Sequence, residues 1–220
     1  MSNEIHDFAG VPVVLSGPSG VGKTTIKEQL LTRFQDLVVS ISATTRAPRN
    51  GETHGKDYLF LSREEFERGI EEDRFIEWAT VHGEYYGTPR GPIEDHLRNG
   101  TDVLLVIDIQ GGVFVKKLFP QCLLIFLLPP NMDELARRLH ERGTDPEEIK
   151  ALRLNNAREE ISFAQFYDYW VVNHHLDETV SRIRSIILAD RCRAPRAFDR
   201  YHRLGYEWPD IPSAQSHEKA

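Results

Sequence analysis

The stretch Ser16-Gly17-Pro18-Ser19-Gly20-Val21-Gly22-Lys23-Thr24 contains glycines, a lysine and a hydroxyl at a spacing that can hold phosphate. Gly17, Gly22, Lys23 and Thr24 fit G-x-x-x-x-G-K-[ST]. Glycines there let the backbone turn its N–H groups inward around phosphate oxygens, and the following helix points its positive end at the same anion. In that geometry Lys23 reaches the β- and γ-phosphates and the Thr24 hydroxyl faces Mg²⁺. Residues 17–24, with Pro18, Ser19, Gly20 and Val21 between the glycines, are therefore candidate nucleoside triphosphate ligands. A bare glycine-rich turn is the competing reading, and the flanks argue against it. An apolar run at 11–15 precedes the loop, and Ile26, Leu30 and Phe34 follow it at helical spacing. The phosphate must then go to water, to a protein or to a small acceptor.

A second group addresses that choice. In S-A-T-T-R-A-P-R-N-G-E, residues 42–52, Arg46 and Arg49 flank Pro48. Proline stiffens the backbone between them, and two guanidinium forks on a rigid turn suit a doubly charged phosphate. Tyr58 and the pair Tyr85-Tyr86 offer hydroxyl donors to the same anion. Alone, such a segment reads as a solvated basic turn. Beside a phosphate loop it gains weight, because a phosphotransferase needs a second anion site. Asp108 closes the apolar run 103–108, where a carboxylate delivered by a buried strand suits Mg²⁺-bound water opposite Thr24.

The elements that must position these groups follow from the pattern. Apolar runs at 11–15, 103–109, 123–128 and 170–172 predict buried parallel strands alternating with helices, a doubly wound sheet with ligands at its carboxyl end. Residues 40–91 are too long for a loop and predict an inserted lobe with a helix over 63–70. Residues 131–160 are polar and arginine-rich, and predict two helices joined by R-G-T-D-P, with Asp145-Pro146 as a helix start. Such a lobe suits a lid. After Asp190 the period fades, which predicts a surface-draped or disordered extension whose last ten residues are disordered.

Composition narrows the function further. A formal charge of −7 over 220 residues argues against a general binder of nucleic acid or anionic membrane, so any bound anion is held by local Lys and Arg. The longest apolar run, 122–128, is too short to span a bilayer, and the acidic start M-S-N-E-I-H-D lacks a signal-peptide pattern. Cys122 and Cys192 give no disulfide or metal framework, and His174-His175 reads as a strand-end pair. A cytoplasmic chain is expected, needing Mg²⁺ only with its nucleotide. The basic start of the tail, R-C-R-A-P-R, offers a partner site as a competing reading to a surface-draped extension, and protein partners stay open.

The motifs S-G-P-S-G-V-G-K-T, S-A-T-T-R-A-P-R-N-G-E, H-G-K-D-Y, F-I-E-W-A, Y-Y-G-T, I-D-I-Q-G, R-L-H-E-R-G-T and V-V-N stand in this order along the chain. In order and spacing the chain resembles the guanylate kinase family over roughly residues 11–190. The resemblance implies an α/β, P-loop NTPase-type doubly wound sheet with an inserted GMP-binding lobe and a small helical lid. The corresponding boundaries are core 8–40, 92–130 and 161–190, acceptor lobe 41–91, lid 131–160 and a partly disordered extension 191–220. It implies ATP-dependent phosphorylation of GMP and dGMP, with ATP and GMP as the partners. Arg46, Arg49, Tyr58 and Tyr86 are then expected on the GMP phosphate, Glu77 on guanine N1–H and the exocyclic amine, and Ser42 and Thr88 near the base's other edge. Glu52 is expected to organise that lobe. Arg138, Arg142 and Arg153 match positions that contact ATP phosphates or the phosphoryl in flight, and Asn173 one near adenine. Lys23, Arg46, Arg142, Arg153 and Asp108 are the expected catalytic groups. Thr24 and Asp108 are expected to hold Mg²⁺ largely through water and nucleotide. Arg137 and Arg158 are expected to be surface charges.

Two departures stand out. Val106 sits where the family usually has an acid, and V-V-N-H-H replaces N-D-D. Three other functions compete: a binding module for phosphorylated peptides that has lost catalysis, a kinase of another acceptor, and a P-loop hydrolase. The first typically lacks the loop lysine and lid arginines, which are present here. The second leaves Glu77 and Ser42 unexplained, and the third leaves the arginine clamp without a purpose.

Overall fold

The computed structural model describes residues 10–81, 83–141, 147–203 and 205. Arg142, the R-G-T-D-P turn with Asp145-Pro146, and the last ten residues lie outside the described residues. Strand β1 (Pro12–Ser16) leads through the glycine-rich loop into α1 (Lys23–Arg33) and β2 (Leu37–Val39). The inserted section holds β3 (Ala43–Thr44), β4 (Leu59–Phe60), α2 (Arg63–Glu71), β5 (Phe75–Val81) and β6 (Glu84–Pro89). The core resumes with α3 (Arg90–Arg98), β7 (Asp102–Leu105), α4 (Ile109–Leu118) and β8 (Leu123–Leu128). Then come α5 (Met132–Glu141), α6 (Glu147–Ser162), a 3₁₀ turn (Phe163–Phe166), β9 (Tyr169–Val172), α7 (Leu176–Arg191) and α8 (Ala194–Arg203).

The main sheet runs β2-β7-β1-β8-β9, and all its pairings are parallel. Successive residues of β1 face opposite layers. Val13 and Leu15 pack with Ile26, Leu30, Val180 and Ile183, whereas Val14 packs with Ile93, Leu97, Val115 and Phe126. Coverage on both faces explains the unbroken apolar runs of β1, β7 and β8, whereas β9, expected to be buried, lies at the sheet edge and buries only Val171. The connections after β1 and β8 leave in opposite directions, so a crevice opens at their carboxyl ends, where the phosphate loop lies.

Two elements differ from expectation. β7 stops at Leu105, and Asp108 instead caps α4, its carboxylate accepting from Gly111 N at 2.8 Å. A helix start needs an acceptor for its free N–H groups, and Asp108 supplies one. β2 is a further strand, only three residues long, at the sheet edge, where few residues carry its pattern.

The inserted section builds its own sheet, β4-β3-β6-β5. Helix α2 begins with a capping box: Ser62 Oγ accepts from Glu65 N at 3.1 Å, and the Glu65 carboxylate accepts from Ser62 N at 2.7 Å. It buries Phe66, which stacks on Phe75 at 4.3 Å and on Tyr85 at 5.2 Å.

The segment after Asp190 also differs: residues 194–203 form α8. Its Arg196 donates to Asp102 at 2.6 Å and pairs with Asp190, while Arg191 donates to Asp102 at 2.7 Å. Both aspartate side chains are 1% exposed, and buried carboxylates need cations brought to them. The partners come from distant segments, so no local period announces them. Asp102 begins β7, so this network sits at the opposite end of the sheet from the phosphate loop. Among the described residues no helix is long and apolar enough to cross a membrane.

Candidate active site

The phosphate loop is held from behind. Gly22, at φ 103°, is the residue that turns the chain into α1, a left-handed conformation that a side chain would strain. Asn173 is buried, and its amide donates to Val21 O at 2.7 Å while accepting from Thr179 Oγ1 at 3.1 Å. Arg138 donates to Val21 O at 3.4 Å and to Asn173 O at 3.1 Å. Asn173 thus spends its side chain on the loop itself, and Arg138 reaches the loop from α5. Ser16 Oγ bonds the carbonyls of Ile107 (2.9 Å) and Asp108 (3.2 Å), tying the β1 and β7 ends together.

Inside the loop, Lys23 Nζ donates to the carbonyls of Gly17 and Pro18. Gly17, Pro18, Ser19, Gly20, Gly22, Lys23 and Thr24 line one depression with Val106, Asp108 and Glu160. Val21 is buried beneath it, contributing backbone rather than side chain. One oxygen of Asp108 caps α4, and with the Thr24 hydroxyl the carboxylate offers the hard oxygen donors that Mg²⁺ prefers. No group of three His, Cys, Asp or Glu among the described residues could hold a metal by itself. These two donors fit a Mg²⁺ that would take most of its ligands from elsewhere.

The second candidate anion site lies in the inserted lobe. Arg46 Nη2 donates to both Glu52 oxygens at 2.9 Å, and Glu52 also accepts from Arg49 N at 2.7 Å. The Arg49 N–H holds the Glu52 carboxyl below its ordinary pKa; burial opposes this and Arg46 adds to it. Arg46 lies over the Tyr58 ring at 5.5 Å, and Tyr58 meets Tyr86 edge-on at 6.2 Å. Arg49 is exposed. The strand period divides the tyrosine pair: Tyr86 faces Tyr58, whereas Tyr85 stacks on Phe66 and accepts from Arg63 at 3.1 Å. Only one of the two hydroxyls therefore serves this site.

Ser42, Tyr58, Glu77 and Tyr86 line one pocket with Val106 and Asp108. The buried Thr88 donates its hydroxyl to the Glu77 carboxylate, fixing its orientation. Burial pushes the Glu77 pKa up, the Thr88 bond pulls it back, and nearby Asp108 raises it again. The Glu77 and Asp108 carboxylates approach the same flank of Gly111, at the start of α4. Val106 lines both this pocket and the phosphate-loop depression, and packs against the main core. An acid there would add a third carboxylate to a pair already in repulsion.

Of the remaining expected residues, Arg153 is half-buried on α6, and Arg137 and Arg158 are exposed. His174 and His175 are exposed and pack ring against ring at 4.2 Å. Glu160 and Thr179 line or brace the site although no motif named them, and Ser16, which opens the glycine-rich motif, joins it through bonds that the motif did not announce. Glu160 had a readable signal: it stands seven residues, two helical turns, after Arg153. Thr179 had none, and neither did the bonds of Ser16, because the partners come from other elements.

A parallel sheet with a phosphate loop at its switch point, faced by an arginine–tyrosine clamp in an inserted lobe, defines a P-loop phosphotransferase. The guanylate kinase family model matches residues 9–190. The guanylate kinase of Caldanaerobacter subterraneus is 49% identical, over 90% of this chain and 96% of the relative. That of Desulfitobacterium hafniense is 48% identical, over 85% and 94%. The crystal structure of guanylate kinase from Anaplasma phagocytophilum superposes with a TM-score of 0.72 at 40% identity, covering 86% of this chain and 90% of that one. The chain belongs to the guanylate kinase family.

Proposed function

We propose that this chain transfers the γ-phosphoryl group of ATP to GMP, and to dGMP, giving ADP and GDP. The observation that carries the reading is the pocket in which Glu77, oriented by Thr88, stands beside the Arg46–Tyr58–Tyr86 cluster. Guanine presents two adjacent donors, N1–H and the exocyclic amine, to a carboxylate; adenine presents neither. A buried carboxylate left unpaired rejects the wrong base by roughly 10⁴-fold.

Arg46 and Arg49 bind the GMP phosphate with Tyr58 and Tyr86, and Glu52 holds Arg46 in place. Ser42 meets the base. The phosphate loop from Gly17 to Thr24 binds ATP, with Lys23 turning from its own carbonyls to the transferring phosphate. Arg138, Arg142 and Arg153 close over the phosphates from the lid, and Asn173 holds the loop beneath the nucleotide. Thr24 and Asp108 would hold Mg²⁺, which would supply neutralisation of the phosphate charge. An oxygen of the GMP phosphate attacks the γ-phosphorus as the bond to the β–γ bridging oxygen breaks. That oxygen is already ionised, so no general base is needed; alignment and positive charge do the work. The proposed division is core, acceptor lobe (41–91) and lid (131–160), the two lobes closing to exclude water. The reading includes a cytoplasmic setting, which the free cysteines Cys122 and Cys192 suit.

The test is ADP production from Mg-ATP with GMP, dGMP, AMP, CMP and UMP offered separately. Turnover with GMP and dGMP alone is expected. Turnover with another base, or none, overturns the acceptor assignment.

A further inference from the structure

Helix α6 belongs to the lid section, yet its Glu160 lines the phosphate-loop depression with Ser19, Lys23 and Asp108. The half-buried carboxylate faces the backbone N–H of Ser19 and lies within electrostatic reach of the Lys23 ammonium. Burial raises its pKa, with Lys23 and the Ser19 N–H opposing. Inward-facing N–H groups, a lysine and a helix N-terminus together make an anion seat. Asp108 lines the same depression, but one of its oxygens is committed to capping α4. Glu160 is the carboxylate brought to the loop from another lobe.

We propose that Glu160 is a displaceable stand-in for the nucleotide's phosphate. Its carboxylate occupies the seat, the triphosphate chain expels it, and because it hangs from α6 the expulsion moves the lid helix. Loading of the loop and position of the lid are thereby coupled through one side chain. The inference rests on the loop being the ATP site, though not on GMP being the acceptor.

The sign of an affinity change separates a competitor from a structural or ligand-holding acid. Removing a competitor tightens binding, because the seat no longer has to be vacated. Binding of inorganic tripolyphosphate and of Mg-ATP is measured by calorimetry on the full chain and on Glu160→Gln, with Glu159→Gln as the exposed neighbour control. Glu160→Gln should bind both about fivefold more tightly, the scale of a half-buried ion contact. Glu160→Asp, with the charge on a shorter arm, should fall between, and the control should match the parent. Hydrogen exchange should show tripolyphosphate altering α6 in the parent and less so in Glu160→Gln. Equal or weaker binding by a folded Glu160→Gln overturns the proposal. Tighter binding in a chain that ignores GMP would leave it standing while overturning the acceptor assignment. A parent chain that binds neither probe overturns both.

Discussion

Glu77 is where chemistry and stability pull against each other. Its folded-state pKa is raised, chiefly by burial, so its ionised form costs stability at neutral pH, and that cost is relieved as pH falls through the folded value. Recognition of guanine needs the ionised form, which accepts two hydrogen bonds. Affinity for GMP should therefore fall as acid protonates Glu77, beginning at a higher pH than an ordinary carboxylate would set. Glu77→Gln should remove that pH dependence and lower kcat/KM for GMP on the order of 100-fold. Mg-ATP affinity should hold, and the melting temperature at pH 7 should not fall. Steady-state kinetics across pH 5–8, with thermal melts, check all of these together. Lys23 offers the complementary test. Lys23→Met should cut kcat by about 10³-fold or more, because it removes the donor proposed to turn from the Gly17 and Pro18 carbonyls to the transferring charge. GMP binding, measured by calorimetry, should remain, since the clamp sits on another sheet.

At the scale of elements, the acceptor lobe depends on a close approach. A Cβ on Gly87, in the middle of β6, would stand 2.8 Å from Phe66 Cζ and 3.0 Å from Phe75 Cδ1. Phe66 and Phe75 are themselves stacked, so neither ring can yield alone. Gly87→Ala should destabilise the lobe by about 1–3 kcal/mol, the usual cost of overpacking. Because β6 also carries Tyr86 and Thr88, the KM for GMP should rise while ATP binding is kept. An unchanged KM would mean that the sheet does not set the site's geometry. The Y-Y-G-T motif thus reads physically: Tyr85 to the lobe's core, Tyr86 to the clamp, Gly87 to the rings, Thr88 to Glu77.

The whole molecule is tied together at the end remote from catalysis. Arg196 of α8 joins Asp190 of α7 and Asp102 of β7 in one buried network, and Val11 N adds a bond to Asp102 at 2.9 Å. Asp102 keeps Arg191 when Arg196 is lost, but among the described residues Asp190 retains only a 3.5 Å contact with Arg193. Arg196→Ala should cost about 3 kcal/mol, the lower part of the range for removing one partner of a buried ion pair. Denaturant unfolding measures this, and kcat of the folded fraction should be unchanged, since the site lies at the other end of the sheet. The proposed closure is the second property at this scale. Without GMP the lobes lack the ligand that draws them together, so ATP hydrolysis should be far slower than ATP use with GMP. A rate unchanged by GMP would show that water is not excluded.

The sequence by itself determined the glycine-rich loop, the doubly wound sheet and the α2 helix, because each is written in contiguous residues whose spacing matches a backbone geometry. It also delivered Glu77 and Asp108 as candidate carboxylates through their motifs. Only the tertiary structure decided that Asp108 caps α4 rather than ending a strand, that Asn173 spends its amide on the loop, and that α8 anchors to β7. It alone brought Glu160 to the phosphate seat. Apart from the Asp108 cap, which is local to α4, these are meetings of residues from different elements, with bonds that span from 89 to 152 positions. Their energies come from burial and pairing at the meeting point, which no local pattern of the chain encodes.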